Sequence, residues 1–185
     1  AIYGVSIPRD TKAIWKGEAR KINYAFAAGG MEGIASVITE QLGIPVDYTV
    51  QVDLQGFVAI VDAIGGVYFD VPYDMDYHDP YQDLVIEQAK GYRLLTGDDA
   101  MQVIRHRKNN DGSHSAGDVG RLEIQQDFIK AVVDKCLRPS IFFKLPTLAD
   151  IFTENVKTDL SVGNILAFAK SAYGMDPETG VSFQT

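Results

Sequence analysis

The chain has 185 residues, 46% hydrophobic and 23% charged, and 17 Lys and Arg against 25 Asp and Glu give a net charge of −8. That composition suits one globular domain over 1–185, and a pI near 4.8 argues against a general nucleic-acid binder. The single cysteine excludes a disulfide framework or a multi-cysteine zinc site, and no apolar run reaches the about 18 residues of a membrane-spanning helix.

Residues 2–7 read as a strand ended by Pro8. It starts almost at residue 1, and because a buried strand needs neighbours, earlier strands of the domain are expected upstream. A helix over 31–42 follows, opened by Gly29-Gly30, with Ile34, Val37, Ile38 and Leu42 on one stripe and Gly43 and Pro45 as its stop. Alternation over 46–53 predicts a strand that buries Val46, Tyr48, Val50 and Val52. Helical period returns over 54–64, with Phe57, Ile60, Val61 and Ile64 inward and Gly65-Gly66 closing it. A strand over 67–71 ends at Pro72.

The segment 73–82 predicts a long hairpin loop with 84–86 as a short return strand. Thr96 and Asp99 form a capping-box pattern for a helix reaching about 104. After a polar loop over 108–117, Asp118 can cap a helix over 119–136, stopped by Pro139. Short helices over 147–153 and 161–172 and a last strand over 180–184 complete the chain. Alternating strands and helices, with no repeat or linker, predict a single α/β domain.

Nucleophile-elbow, Walker and paired-histidine zinc patterns are missing. His78, His106 and His114 have no metal-ligand spacing, and Cys136, in an apolar helix, reads as a structural thiol. Arginine remains. Arg105 and Arg107 end a short helix; if the chain is extended there, both point one way and His106 the other. Arg121 and Gln125 share a face in the first turns of the next helix, where guanidinium groups and unpaired backbone N–H groups together suit a phosphate. Arg9 follows the opening strand, where α/β sheets place ligand contacts.

Each of these residues also has a plainer reading. Any one arginine fits a surface ion pair with Asp10, Asp111 or Asp118, a reading that weakens for four arginines at strand and helix ends of a sparsely basic chain. Asp118 stays open between helix cap and ligand of a magnesium ion bridging to phosphate. Val50, Val52, Phe57, Ile60 and Val61 stay open between filled core and lipid-accepting slot. The six acids between Asp70 and Glu87 read as a solvated hairpin.

Taken in order, the short motifs become specific. Ser6-Ile7-Pro8-Arg9-Asp10-Thr11 is followed by Lys21-Ile22-Asn23-Tyr24-Ala25-Phe26, Val52-Asp53-Leu54-Gln55-Gly56-Phe57 and Val61-Asp62-Ala63-Ile64-Gly65-Gly66. Then come Leu95-Thr96-Gly97-Asp98-Asp99-Ala100, Arg105-His106-Arg107, and Gly117-Asp118-Val119-Gly120-Arg121 running into Gln125-Gln126. Over about residues 2–170 this series resembles the LytR-CpsA-Psr family of cell-wall glycopolymer ligases. The resemblance implies an α/β domain with a central mixed β-sheet flanked by helices. It also implies an extracytoplasmic enzyme at the cell membrane of a Gram-positive bacterium. Such an enzyme moves a teichoic acid or capsular polysaccharide from a polyprenyl-pyrophosphate carrier to peptidoglycan.

By the same resemblance, Arg9, Arg105, Arg107 and Arg121 are the catalytic arginines that grip the lipid pyrophosphate, with Gln125 and Lys21 as further substrate-binding positions. Asp118 matches an acidic position that holds magnesium or manganese, the other metal ligands and a membrane anchor being expected upstream of residue 1. Two departures stand out: Ile124 occupies a position where the family usually has arginine, and the loop between Arg107 and Asp118 is long. The implied chemistry is phosphoryl transfer by positioning and charge stabilisation, with Asp10 and Asp118 as the candidate general bases. The rival from another class is a protein that binds polyprenyl phosphates without turning them over. A transcription regulator is disfavoured, since no basic helix-turn-helix is present and the acidity opposes DNA.

Overall fold

The computed structural model describes residues 1–114, 117–142 and 144–184, with the side chains of 117–119, 142, 177 and 178 outside that description. Strand β1 (Ile2–Val5) leads to a hairpin of β2 (Lys12–Trp15) and β3 (Glu18–Lys21). Its two-residue turn, Lys16-Gly17, has φ of 50° and 83°, the left-handed pair that matches the twist of the flanking strands. These short strands are not among the predicted elements.

Helix α1 (Ile22–Leu42) starts at Ile22 instead of at residue 31. Gly30, with φ 60° and ψ −150°, breaks it into two runs, so Gly29-Gly30 is a kink and not a start. Glycine is also what lets the hairpin dock: a Cβ at Gly29 would meet the Trp15 ring at 2.8 Å. Ala13, Ile22, Ala25 and Val37 make a small core between hairpin and helix.

Strand β4 (Val50–Gln51) is far shorter than the predicted 46–53, and the side chains expected to be buried stay open, with Tyr48, Val50 and Val52 42%, 40% and 43% exposed. Alternation decides which side chains share a face; a second layer must cover that face, and β4 has only a two-residue pairing to hold one. Helix α2 (Leu54–Ala63) is as predicted, and the Asp53 carboxylate caps it by accepting the Gly56 N–H at 2.8 Å.

Strands β5 (Val67–Val71), β6 (Met75–Asp79), β7 (Leu84–Gln88) and β8 (Gly91–Leu95) make one long ribbon, β5 pairing with β8 and β6 with β7. Val71 faces Gly91 and Met75 faces Gln88, so three residues oppose two at the junction and the ribbon bulges there. The acidic segment is therefore half strand, not loop. Asp76 and His78 occupy its exposed face while Met75, Tyr77 and Asp79 share the more buried one, an alternation hidden beneath the run of charge. Helix α3 (Gly97–Arg105) has the expected capping box, Thr96 and Asp99 each accepting the other's backbone N–H.

Helices α4 (Gly117–Leu137), α5 (Pro139–Phe142) and α6 (Leu145–Asn155) precede β9 (Lys157–Thr158), which pairs with β4. Helix α7 (Val162–Ala172), capped by Ser161, is followed by α8 (Pro177–Gly180) and β10 (Val181–Gln184), which lies parallel to β1. The main core joins α2, the ribbon, α3 and α4, with Val61, Phe69, Ile86, Leu95, Val103 and Phe128 among its buried members. This is the expected α/β fold with mixed strand pairing flanked by helices; among the described residues its strands are shared among five two-stranded sheets. No helix among the described residues is long and apolar enough to cross a membrane.

Candidate functional site

Three segments distant in sequence deliver the arginines. Arg9 sits in the turn after β1, held where the Thr11 N–H donates to the Pro8 carbonyl at 2.9 Å. Arg105 is the last residue of α3, and His106 follows it with φ −60° and ψ 135°. That extended step sends His106 into the core, 1% exposed, and turns Arg105 and Arg107 together toward the outside. Arg121 and Gln125 come from consecutive turns of α4. All five line a single cleft of about 760 Å³, along with Lys108 and with Tyr77, Gln82 and Leu84 from the β6–β7 hairpin.

Two adjacent glutamines hold these segments together. Gln125 Nε2 donates to the Ile104 carbonyl at 3.0 Å, one residue before Arg105. Gln126 Nε2 donates to Ser6 Oγ at 2.9 Å, three residues before Arg9. The Gln125 side chain therefore both lines the cleft and ties α4 to the end of α3.

Lys21 lies next door. With Lys12, Arg20 and Tyr24 it lines a second cavity of about 630 Å³ instead of the arginine cleft. The Asp10 carboxylate joins the two, one oxygen 3.7 Å from Arg9 Nε and the other 3.2 Å from Lys21 Nζ. An exposed pair of this kind is worth at most about 1 kcal/mol and gives way easily to a stronger anion. The Asp111 carboxylate accepts the Ser113 N–H at 2.8 Å. The Asp118 side chain lies outside the described residues, so both its cap and its metal roles do too. Among the described residues no three acidic, histidine or cysteine side chains converge to hold a metal ion.

An apolar groove of about 370 Å³ runs between α2 and α3, lined by Leu54, Val58, Ala59 and Met101, with Asp98 and Arg105 at its polar margin. It uses none of the five residues weighed as a lipid slot: Val61 is buried core, and Phe57 packs on Phe128 at 5.8 Å. Arg105 belongs to both groove and cleft. A cation-lined cleft and an apolar groove that share Arg105 in their walls suit an amphiphile with an anionic head. Lys108 could have been found by its place beside Arg107; Tyr77, Gln82 and Leu84 reach the cleft only through strand pairing.

Comparison with known proteins points to one family. The model of the LytR_cpsA_psr family matches residues 2–185. The polyisoprenyl-teichoic acid–peptidoglycan teichoic acid transferase TagU of Bacillus mycoides is 36% identical over 172 residues, 90% of this chain and 52% of that protein. The corresponding transferase TagV of Bacillus subtilis is 33% identical over 168 residues, 88% of this chain and 42% of that one. The crystal structure of B. subtilis TagV superposes with a TM-score of 0.80 at 30% identity, covering 97% of this chain and 68% of that chain. The chain thus spans about half the length of the relatives it matches. It belongs to the LytR_cpsA_psr family.

Proposed function

We propose that the cleft binds the pyrophosphate of a polyprenyl-linked glycopolymer, and that the domain transfers that glycopolymer, a teichoic acid or capsular polysaccharide, to peptidoglycan. One observation carries this reading: Arg105 lines both the arginine cleft and the apolar groove, a pairing that suits a ligand with a charged head and a prenyl tail. The names of the TagU and TagV relatives point to the same class of donor and acceptor. On this reading the reaction runs at the membrane, on the extracytoplasmic face where the peptidoglycan acceptor lies.

Arg9, Arg105, Arg107 and Arg121 neutralise the pyrophosphate oxygens and hold them in line. A peptidoglycan hydroxyl attacks the phosphorus nearest the glycan, a new P–O bond forms, the bridging P–O bond breaks, and polyprenyl phosphate leaves. The hydroxyl proton goes to a carboxylate; Asp10, held between Arg9 and Lys21, is the described candidate. Magnesium or manganese enters through the family resemblance, with Asp118 as its ligand. Such an ion would add charge stabilisation at the pyrophosphate; among the described residues no three acidic, histidine or cysteine side chains converge to hold one.

The test is transfer from a lipid-linked glycopolymer to peptidoglycan by the complete protein. Arg105→Ala and Arg121→Ala are expected to stop release of polyprenyl phosphate while the fold persists. Normal release by both would overturn the assignment, and tight binding without release in the unaltered protein would favour a carrier-binding protein instead.

A further inference from the structure

The two cleft arginines on either side of His106 rest on a buried polar assembly that the proposed reaction leaves unused. His106 and Asn109 are 1% and 8% exposed. The Asn109 amide has all four of its hydrogen-bonding positions filled. Its Oδ1 accepts from His106 Nε2 at 2.8 Å and from the Asp76 N–H at 2.9 Å; its Nδ2 donates to the Asp74 carbonyl at 3.1 Å and to Ser113 Oγ at 3.2 Å.

Asn110 continues the attachment. Its N–H donates to the Asp76 carbonyl at 3.0 Å, its Oδ1 accepts the His78 N–H at 3.2 Å, and its Nδ2 donates to the His78 carbonyl at 3.3 Å. Two asparagines thus stand in for a neighbouring strand along the edge of β6. The chain leaving α3 is thereby fixed to the ribbon that forms the opposite wall of the cleft.

This network also decides the state of the imidazole. The Asp76 N–H fixes which end of the Asn109 amide is oxygen, so His106 must donate from Nε2 and carry its lone pair on Nδ1. Nδ1 is buried and has no hydrogen-bond partner. An apolar side chain would fill the same space without stranding a ring nitrogen; what it could not do is reach Asn109. The titratable groups around the ring are Arg105 and Arg107 on either side, Tyr73 with its ring 5.5 Å away, and His114, which stacks on Tyr73 at 4.4 Å.

We propose that His106 and Asn109 are positioning residues, an uncharged strut that holds Arg105 and Arg107 at a set distance from β6 for the pyrophosphate. The proposal rests on the reading of the cleft given above. Two guanidinium groups so close in sequence repel each other and would turn into solvent if the segment were loose. Donors fixed in advance lose less freedom when the anion arrives.

Calorimetric titration of this chain with geranylgeranyl pyrophosphate tests the strut. Asn109→Ala, which keeps every arginine, is expected to bind about ten-fold more weakly, on the order of the loss when a hydrogen bond supporting a ligand site from behind is removed. His106→Gln, neutral and able to donate to Asn109, should retain most of the affinity that His106→Ala loses. In ¹⁵N NMR the wild-type ring should show the Nε2–H tautomer at neutral pH. Wild-type affinity in folded Asn109→Ala, or equal affinity in His106→Ala and His106→Gln, would overturn the proposal; if Asn109→Ala does not fold, the His106 pair decides. Arg105→Ala separates the two levels: if it binds like wild type, the cleft reading itself fails, whereas if it alone loses binding, the strut fails and the cleft stands.

Discussion

Two regions among the described residues are rich in positive charge, and only one has the convergent geometry that the proposed anion site asks for. The β2–β3 hairpin carries Lys12, Lys16, Arg20 and Lys21 within ten residues, all on short strands or their turn. Most of these charges are spent locally. Arg20 Nη2 is 2.6 Å from Glu18, its guanidinium lies 5.3 Å from the Tyr24 ring, Lys21 reaches Asp10, and Lys16 sits over Trp15 at 5.2 Å. The cleft instead draws Arg9, Arg105, Arg107 and Arg121 from three separate segments, clamped by Gln125, Gln126 and Asn109. Contiguity in sequence makes a solvated basic surface; convergence in space, held by uncharged side chains, makes a site.

The sharpest way to break this contrast is to remove one guanidinium from each region. Arg105→Ala or Arg121→Ala in the complete protein should lower the transfer rate by about 10²-fold or more, as removal of a preorganised charge-stabilising donor does. Arg20→Ala, which lines neither the cleft nor the groove, should leave the rate within about two-fold. Equal losses in the two regions, measured as polyprenyl phosphate released, would show that bulk charge and not convergence carries the reaction.

A smaller effect separates the cleft from its apolar extension. Val58→Asp puts a carboxylate in the groove wall, where a prenyl chain would otherwise find only apolar neighbours. Affinity for geranylgeranyl pyrophosphate is expected to fall about ten-fold, while affinity for inorganic pyrophosphate changes little. If both ligands weaken alike in calorimetry, the groove does not hold the tail.

The two regions are unequally legible in the sequence. Arginine positions at segment ends can be read because the strand stop at Pro8 marks the end before Arg9, and the Thr96–Asp99 capping box sets the start of the short helix that Arg105 ends. Helix α2 and strand β5 were legible for the same reason, having clear periods and clear stops. The hairpin is not legible because four-residue strands are too short to show a period, and the first half of α1 is hidden by a glycine pair that resembles a boundary. Tyr77, Gln82 and Leu84 could not be placed, since only β6–β7 pairing brings them to the arginines. The exposure of Val50 and Val52 is a matter of layer packing, about which alternation is silent.

The clamp itself offers a finer test. Gln126→Ala removes the bond to Ser6 that ties the Arg9 segment to α4, and should cost about 1 kcal/mol of stability in urea unfolding. Ser6→Ala breaks the same bond from the other side, so the double variant should lose clearly less than the two single losses added together. Full additivity would mean that the two side chains act separately and that this tie does not hold the cleft.

The smallest expected effect is a pH dependence specific to the strut. Burial lowers the His106 pKa below its ordinary 6.5; the Asn109 bond opposes that shift and the nearby His114 reinforces it. As pH falls through 6.5, the unfolded chain therefore takes up a proton at this residue that the folded chain still refuses. More protons bound in the unfolded state means that stability rises with pH in this window, so acidification from neutral weakens the fold until the folded ring is itself protonated. Asp99 is lowered from 3.8: burial raises its pKa, but the bonds from Thr96 and Gln88 and the charge of Arg93 outweigh it. The stability it supplies is present above 3.8 and lost as pH falls through its folded value, a more acidic window that does not overlap. The hairpin has no histidine and supplies no counterpart to the His106 window. Urea midpoints measured from pH 7.5 down to 5 should fall in wild type and fall less in His106→Gln, which carries no titrating ring. Parallel curves would mean that the ring meets no penalty on protonation, and that the buried Nδ1 finds an acceptor once it is charged.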